Sequence, residues 1–166
     1  MRYRTRLTMA LVAVAFTFVP LTSSGAARNP ALPIAARTPG AIDPRVTQAN
    51  LSFTICVVGY TTRVRPSYSY TRALKISQLA SGYALGNDRL TSHYEEDHLI
   101  SLELGGSPTA PANLWPEPYL IANGARTKDT LENKLHRLVC ARVVPLAVAQ
   151  RAIATNWITA YSRYVG

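Results

Sequence analysis

Apolar residues recur at helical spacing in two C-terminal stretches. Leu131, Leu135, Leu138 and Val139 predict a helix from about Ala125 to Cys140. Leu146, Ala149, Ile153, Trp157 and Tyr161 fall on one side of a last helix running to about Tyr161, and Pro145 suits its first turn, where a missing N–H costs nothing. Upstream, Ala73, Leu74, Ile76 and Leu79 predict a shorter helix from about Tyr70 to Ala80, with Ser69 as its N-cap and Gly82 just beyond its end. The β-prone run Leu51 to Val58 predicts an N-terminal strand. Residues 98 to 104 predict another, Gly105-Gly106 a reversal, and Asn113-Leu114-Trp115 a short partner strand stopped by Pro116 and Pro118. The order of elements is that of an α+β protein.

The first residues change the domain count. Arg2, Arg4 and Arg6 precede the apolar run Leu7 to Leu21, and Ser24-Gly25-Ala26-Ala27 offers small residues for cleavage, so residues 1–27 read as a secretory signal peptide rather than an uncleaved anchor. No later segment could span a bilayer. Residues 28–50 carry Pro30, Pro33, Pro39 and Pro44 without apolar periodicity and read as a flexible leader. That leaves 51–166 as a single domain of an exported protein, secreted or held in the periplasm or envelope.

The 166-residue chain has 18 Lys+Arg against 9 Asp+Glu, and an excess of positive charge persists once the three signal arginines are removed. Such a balance suits nucleic acid or an anionic envelope. Arg63, Arg65, Arg72 and Lys75, interleaved with Tyr60, Tyr68 and Tyr70, form the densest basic and aromatic stretch; it suits phosphates and bases, or merely a solvated face. Cys56 and Cys140 are the two cysteines, and export favours their joining in a disulfide over two buried thiols. Without a CxxC, neither a four-thiolate zinc site nor redox catalysis is expected.

The chemistry concentrates in Asp97-His98, in Asn113, and in a helix holding Asp129, Glu132 and His136. A carboxylate beside a histidine lets one residue hold a metal while its neighbour activates water. Neighbours on an extended strand face opposite ways, so this pair requires a strand end or an irregularity. On the helix, Asp129, Glu132 and His136 lie within about 60° of one another. Lys128 could contact phosphate or flank the helix start, and His93 has no assigned role. Glu95, Glu96 and Glu103 invite a glycosidase reading, for which no second motif exists.

From Asp97-His98-Leu99-Ile100-Ser101-Leu102-Glu103-Leu104-Gly105-Gly106 to Asn113-Leu114-Trp115-Pro116, the sequence resembles the HNH nucleases, the ββα-metal family. Weaker likeness to a group of small exported bacterial proteins with this core extends over Ile55 to Tyr60, Val64-Arg65-Pro66 and Lys128 to Glu132. The resemblance implies a ββα-metal core with flanking helices, and an endonuclease hydrolysing phosphodiester bonds of nucleic acid, DNA before RNA. It makes His98 the general base, Asp97 a ligand of one divalent metal (magnesium or manganese, with zinc or nickel as alternatives), and Asn113 the residue that holds the hairpin and orients the base. The family's second ligand position falls around Ala122-Asn123, so Asn123, Glu132 and Asp129 are the candidates for it. A scaffold of this kind could instead be catalytically silent and only bind envelope or polyanion.

Overall fold

The structure is a computed structural model and describes residues 28–166; the expected signal peptide, 1–27, lies outside the described residues. It is a mixed α+β fold with one antiparallel sheet of two strands, β1 (Tyr94–His98) and β2 (Leu114–Pro118). Helices α1 (Tyr60–Val64) and α2 (Tyr68–Gln78) precede the sheet, and α3 (Ala125–Cys140) and α4 (Leu146–Tyr164) follow it. No described helix is long and apolar enough to cross a membrane.

The two long helices form where the apolar spacing places them. Leu131, Leu135 and Val139 of α3, and Leu146, Ala149, Ile153, Trp157 and Ala160 of α4, are buried in one core with Tyr94, Leu104 and Trp115. Helix α4 breaks at Asn156, whose Oδ1 accepts from the Thr159 N–H at 3.1 Å and recaps the second half. Helix α2 starts two residues earlier than the pattern predicts, capped by Ser67, whose Oγ accepts from the Tyr70 N–H.

Three expectations are corrected. The first strand is 94–98 and not 98–104. Leu99, Ile100, Leu102 and Leu104 are buried, yet Ile100 makes its backbone hydrogen bonds to the Asn113 side chain rather than to a strand, and Leu102–Leu104 is a 3-10 turn. The second strand runs through Pro116 and Pro118. These share parity with Leu114, whose carbonyl points away from β1 and accepts from Gln78 Nε2 at 2.7 Å. Tyr119 N–H, of the opposite parity, donates to His93 O at 2.9 Å, so the prolines occupy positions that the ladder does not need. The run 51–58 forms no N-terminal strand: Leu51–Phe53 is a 3-10 turn with Phe53 and Val58 exposed, and Cys56 is tied to Cys140 by a disulfide.

The proline-rich stretch 28–50 is no flexible leader either. Ala31, Thr38, Asp43 and Val46 are buried in it. It lies along the loop between the strands, with Gly40 N–H donating to Ala112 O, Asp43 N–H to Gly105 O and Ser107 N–H to Ala41 O. The Trp157 indole N–H donates to Ala31 O at 2.7 Å. Proline punctuates local periodicity without preventing an extended strap from packing.

Candidate functional site

β1 ends at His98, which meets the geometric demand that the sequence sets: Asp97 and His98 line one cleft of about 180 Å³. Arg65 and Thr61 flank it from α1 and its C-cap, Glu95 and Glu103 from either side of the pair, and Asp129, Glu132 and Asn133 from α3.

The His98 ring is only 4 % exposed, and its Nε2 lies 2.9 Å from Pro108 O. Burial pushes the imidazole below its usual pKa, against the Pro108 carbonyl and the Asp97 charge, which favour the cation. A neutral ring donating Nε2–H to Pro108 carries its lone pair on Nδ1. Pro108 is itself held by its loop, and Asn113 is the residue that closes that loop. Asn113 is fully buried; its Oδ1 accepts from Ile100 N–H at 2.9 Å and Ala41 N–H at 3.3 Å, while its Nδ2 donates to Ile100 O and Ser107 O, both at 3.0 Å. Gly106 is required beside it, since a Cβ there would stand 1.7 Å from Ile100 O. Gly105 takes the positive φ, +71°, that the reversal needs.

Sequence reasoning missed the centre of the electrostatics. Lys128 of α3 is 1 % exposed, and its ammonium donates to Asp97 Oδ2 at 2.5 Å, to His98 O at 2.8 Å and to Glu132 Oε1. All three N–H groups are thereby used. Burial opposes the Lys128 charge, but Asp97, Glu132 and Glu117 outweigh it and hold its pKa well above the ordinary lysine value. Burial would likewise raise the Asp97 carboxyl, yet the Lys128 ammonium prevails and keeps it below the usual range. The neighbouring acids go the other way. Burial drives Glu132 up to about 8 and Glu117, buried beside the Asp97 carboxylate, well above an ordinary carboxyl. The 128/132 spacing was the available signal for Lys128, and the parity shared with Trp115 was the signal for Glu117.

Of the expected metal ligands, Asp97, Asp129 and Glu132 meet in the cleft and Asn123 does not. Lys128 Nζ fills the space between Asp97 and Glu132. A divalent ion on the same carboxylate would sit roughly 4 Å from that ammonium and be repelled by about 8 kcal/mol at an effective dielectric of 20. Asn123 is exposed in the turn before α3, with φ +57°, and is not part of the cleft lining. His136 turns away, its Nε2 bonded to Ile55 O at 2.9 Å and its Nδ1 3.4 Å from Glu103. Among the described residues, His136 does converge with Cys56 and Cys140 within 4.8 Å, but those sulfurs are joined to each other and are not free to bind a metal. As placed, Asp97 and Glu132 therefore do not fit a divalent ion between them, because Lys128 holds that position.

Three of the basic residues lie at the cleft or beside it. Arg65 borders the cleft, and Arg63 and Arg45 line an adjoining hollow of about 370 Å³ whose wall includes Pro108. Tyr70 ties α2 to that wall by donating its hydroxyl to Thr109 O at 2.5 Å. What is assembled is a neutral imidazole, a buried ion pair beneath it and one guanidinium, Arg65, among the carboxylates of the lining, an arrangement able to take a proton from water beside a group held by Arg65. Comparison with protein-family models, with curated proteins and with solved structures finds no match to this chain.

Proposed function

We propose that the cleft hydrolyses phosphodiester bonds of nucleic acid with a histidine base placed as in the HNH nucleases but with Lys128 where their metal would stand, in a protein exported from the cytoplasm. The observation that carries this reading is His98, buried, neutral and fixed through Nε2 on Pro108 O in the lining of a cleft bordered by Arg65. His98 Nδ1 removes a proton from water, the hydroxide attacks phosphorus, and the P–O bond to the leaving sugar oxygen breaks, that oxygen taking a proton from solvent. Charge gathering on the non-bridging oxygens faces the Arg65 guanidinium. Asn113 acts at one remove, holding the loop that carries Pro108. No step runs through a metal. The Cys56–Cys140 disulfide supports the exported setting, since such bonds persist in oxidising compartments.

The test is cleavage of supercoiled plasmid and of RNA by the oxidised protein, in EDTA and with magnesium, manganese, zinc or nickel added, beside His98→Ala. Cutting that disappears in the variant is the expected result. A folded wild-type protein that cuts neither substrate under any condition, yet binds heparin, would make it a polyanion-binding protein on this scaffold instead.

A further inference from the structure

We propose that the Lys128 ammonium is the resident cation of the cleft, so that Lys128 and a divalent ion are mutually exclusive occupants of the Asp97–Glu132 pair. Three features carry this. The ammonium spans both carboxyl groups and also takes the carbonyl oxygen of His98, the residue proposed as base, so a single cation fixes strand end, helix and base together. It reaches them from inside, 1 % exposed, from the first turns of α3, and its three donors match the three acceptors, which leaves no vacant N–H to be satisfied by a ligand. Finally, one oxygen of each carboxylate, Asp97 Oδ2 and Glu132 Oε1, is already committed to it, and a second positive charge added between them meets repulsion that burial leaves poorly screened.

Two consequences follow for the residues themselves. Lys128 is a positioning residue: it touches the His98 carbonyl and the Asp97 carboxylate, and its place is beneath the cleft rather than in it. Binding of any divalent ion to Asp97 requires that the side chain withdraw, and withdrawal leaves a buried ammonium without partners, a costly state. Only the bearing on cleavage rests on the nuclease reading; the competition itself is a property of the folded chain.

The experiment measures manganese binding, by loss of the free Mn2+ electron paramagnetic resonance signal, to oxidised wild-type protein, to Lys128→Met and to Lys128→Met with Asp97→Asn. The expected result is weak or no binding by wild type, binding at least about tenfold tighter in Lys128→Met, where a nearby positive charge is gone, and loss of that gain in the double variant. Wild-type protein that binds one Mn2+ as tightly as Lys128→Met overturns the proposal. Where Lys128→Met fails to fold, thermal melting of the wild type decides: a midpoint indifferent to EDTA and to added Mn2+ supports the resident ammonium, and a midpoint raised by micromolar Mn2+ overturns it. Cleavage is read in none of these arms, so failure of the nuclease reading leaves the result standing.

Discussion

Replacing Asn113 with alanine removes four hydrogen bonds at once, the two to Ile100 buried and those to Ala41 and Ser107 part-buried. The groups left behind are the N–H and C=O of Ile100, the N–H of Ala41 and the C=O of Ser107. Three of the four bonds lie between 2.9 and 3.0 Å and one at 3.3 Å, so three carry most of the effect. At about 1 to 1.5 kcal/mol for each buried group left unsatisfied, the loss is roughly 3 to 5 kcal/mol, a large fraction of the 5 to 15 kcal/mol available to a domain of this kind. Urea unfolding of the oxidised protein measures it, with an unchanged slope showing that the denatured state is the same. Asn113→Asp separates hydrogen bonding from shape. It keeps the Oδ1 acceptor but sets an anionic oxygen against two carbonyls, and protonation restores one donor, so its deficit narrows as pH falls while that of Asn113→Ala does not. An alanine variant destabilised by less than about 1 kcal/mol would refute the accounting, because the loop would then be held by something else.

The Cys56–Cys140 disulfide encloses 84 residues, for which the chain-entropy model gives about 4 to 5 kcal/mol. Cys56→Ser with Cys140→Ser should lose stability of that order in urea, and a loss below about 1 kcal/mol would mean that the strap and α3 already restrain the denatured chain. Glu96 is buried with both carboxyl oxygens unpartnered, and burial raises it to about 8. Its folded pKa exceeds the unfolded value, so the fold is unpenalised below about pH 4.5 and loses stability as pH rises from there to about 8, where the loss levels off, by at most about 3 kcal/mol at pH 7. Glu96→Gln should therefore gain stability at pH 8 and not at pH 4; an equal change at both would show that the charge is not the cause.

Much of the site could be read from the sequence because single residues there carry several constraints. Asn113 stands out by its spacing to His98, which the resemblance supplies; the demand that Asp97 and His98 face one cleft calls for a strand end or an irregularity, and a strand does end there, although the pattern starts one at that residue. Helices α3 and α4 could be read because their buried stripes are aliphatic and regular. The misreadings share one cause: a local pattern was satisfied by a distant partner. Glu95, Glu96 and Asp97 look too charged for a strand, but β2 pairs with them and α2 supplies Lys75, whose ammonium donates to Tyr94 O at 2.8 Å. Leu99 to Leu104 look like a strand, but an amide side chain replaces the ladder. Lys128 looks like a helix-surface cation, and only the fold brings three acceptors to it.

The strap of residues 28–50 constrains the order in which this protein can become whole. Ala31 accepts its hydrogen bond from Trp157, 126 residues downstream, and Gly40, Ala41 and Asp43 bond to residues 105 to 113. A chain emerging N-terminus first, from a ribosome or through a pore, exposes the strap well before Trp157, its farthest partner. Such long loops must close before their contacts reward them. The loop that presents Pro108 to His98 is thus completed by a segment that appears before it, and the strap is sealed by one that appears well after it, so a chain halted short of Trp157 would hold a cleft without its outer brace.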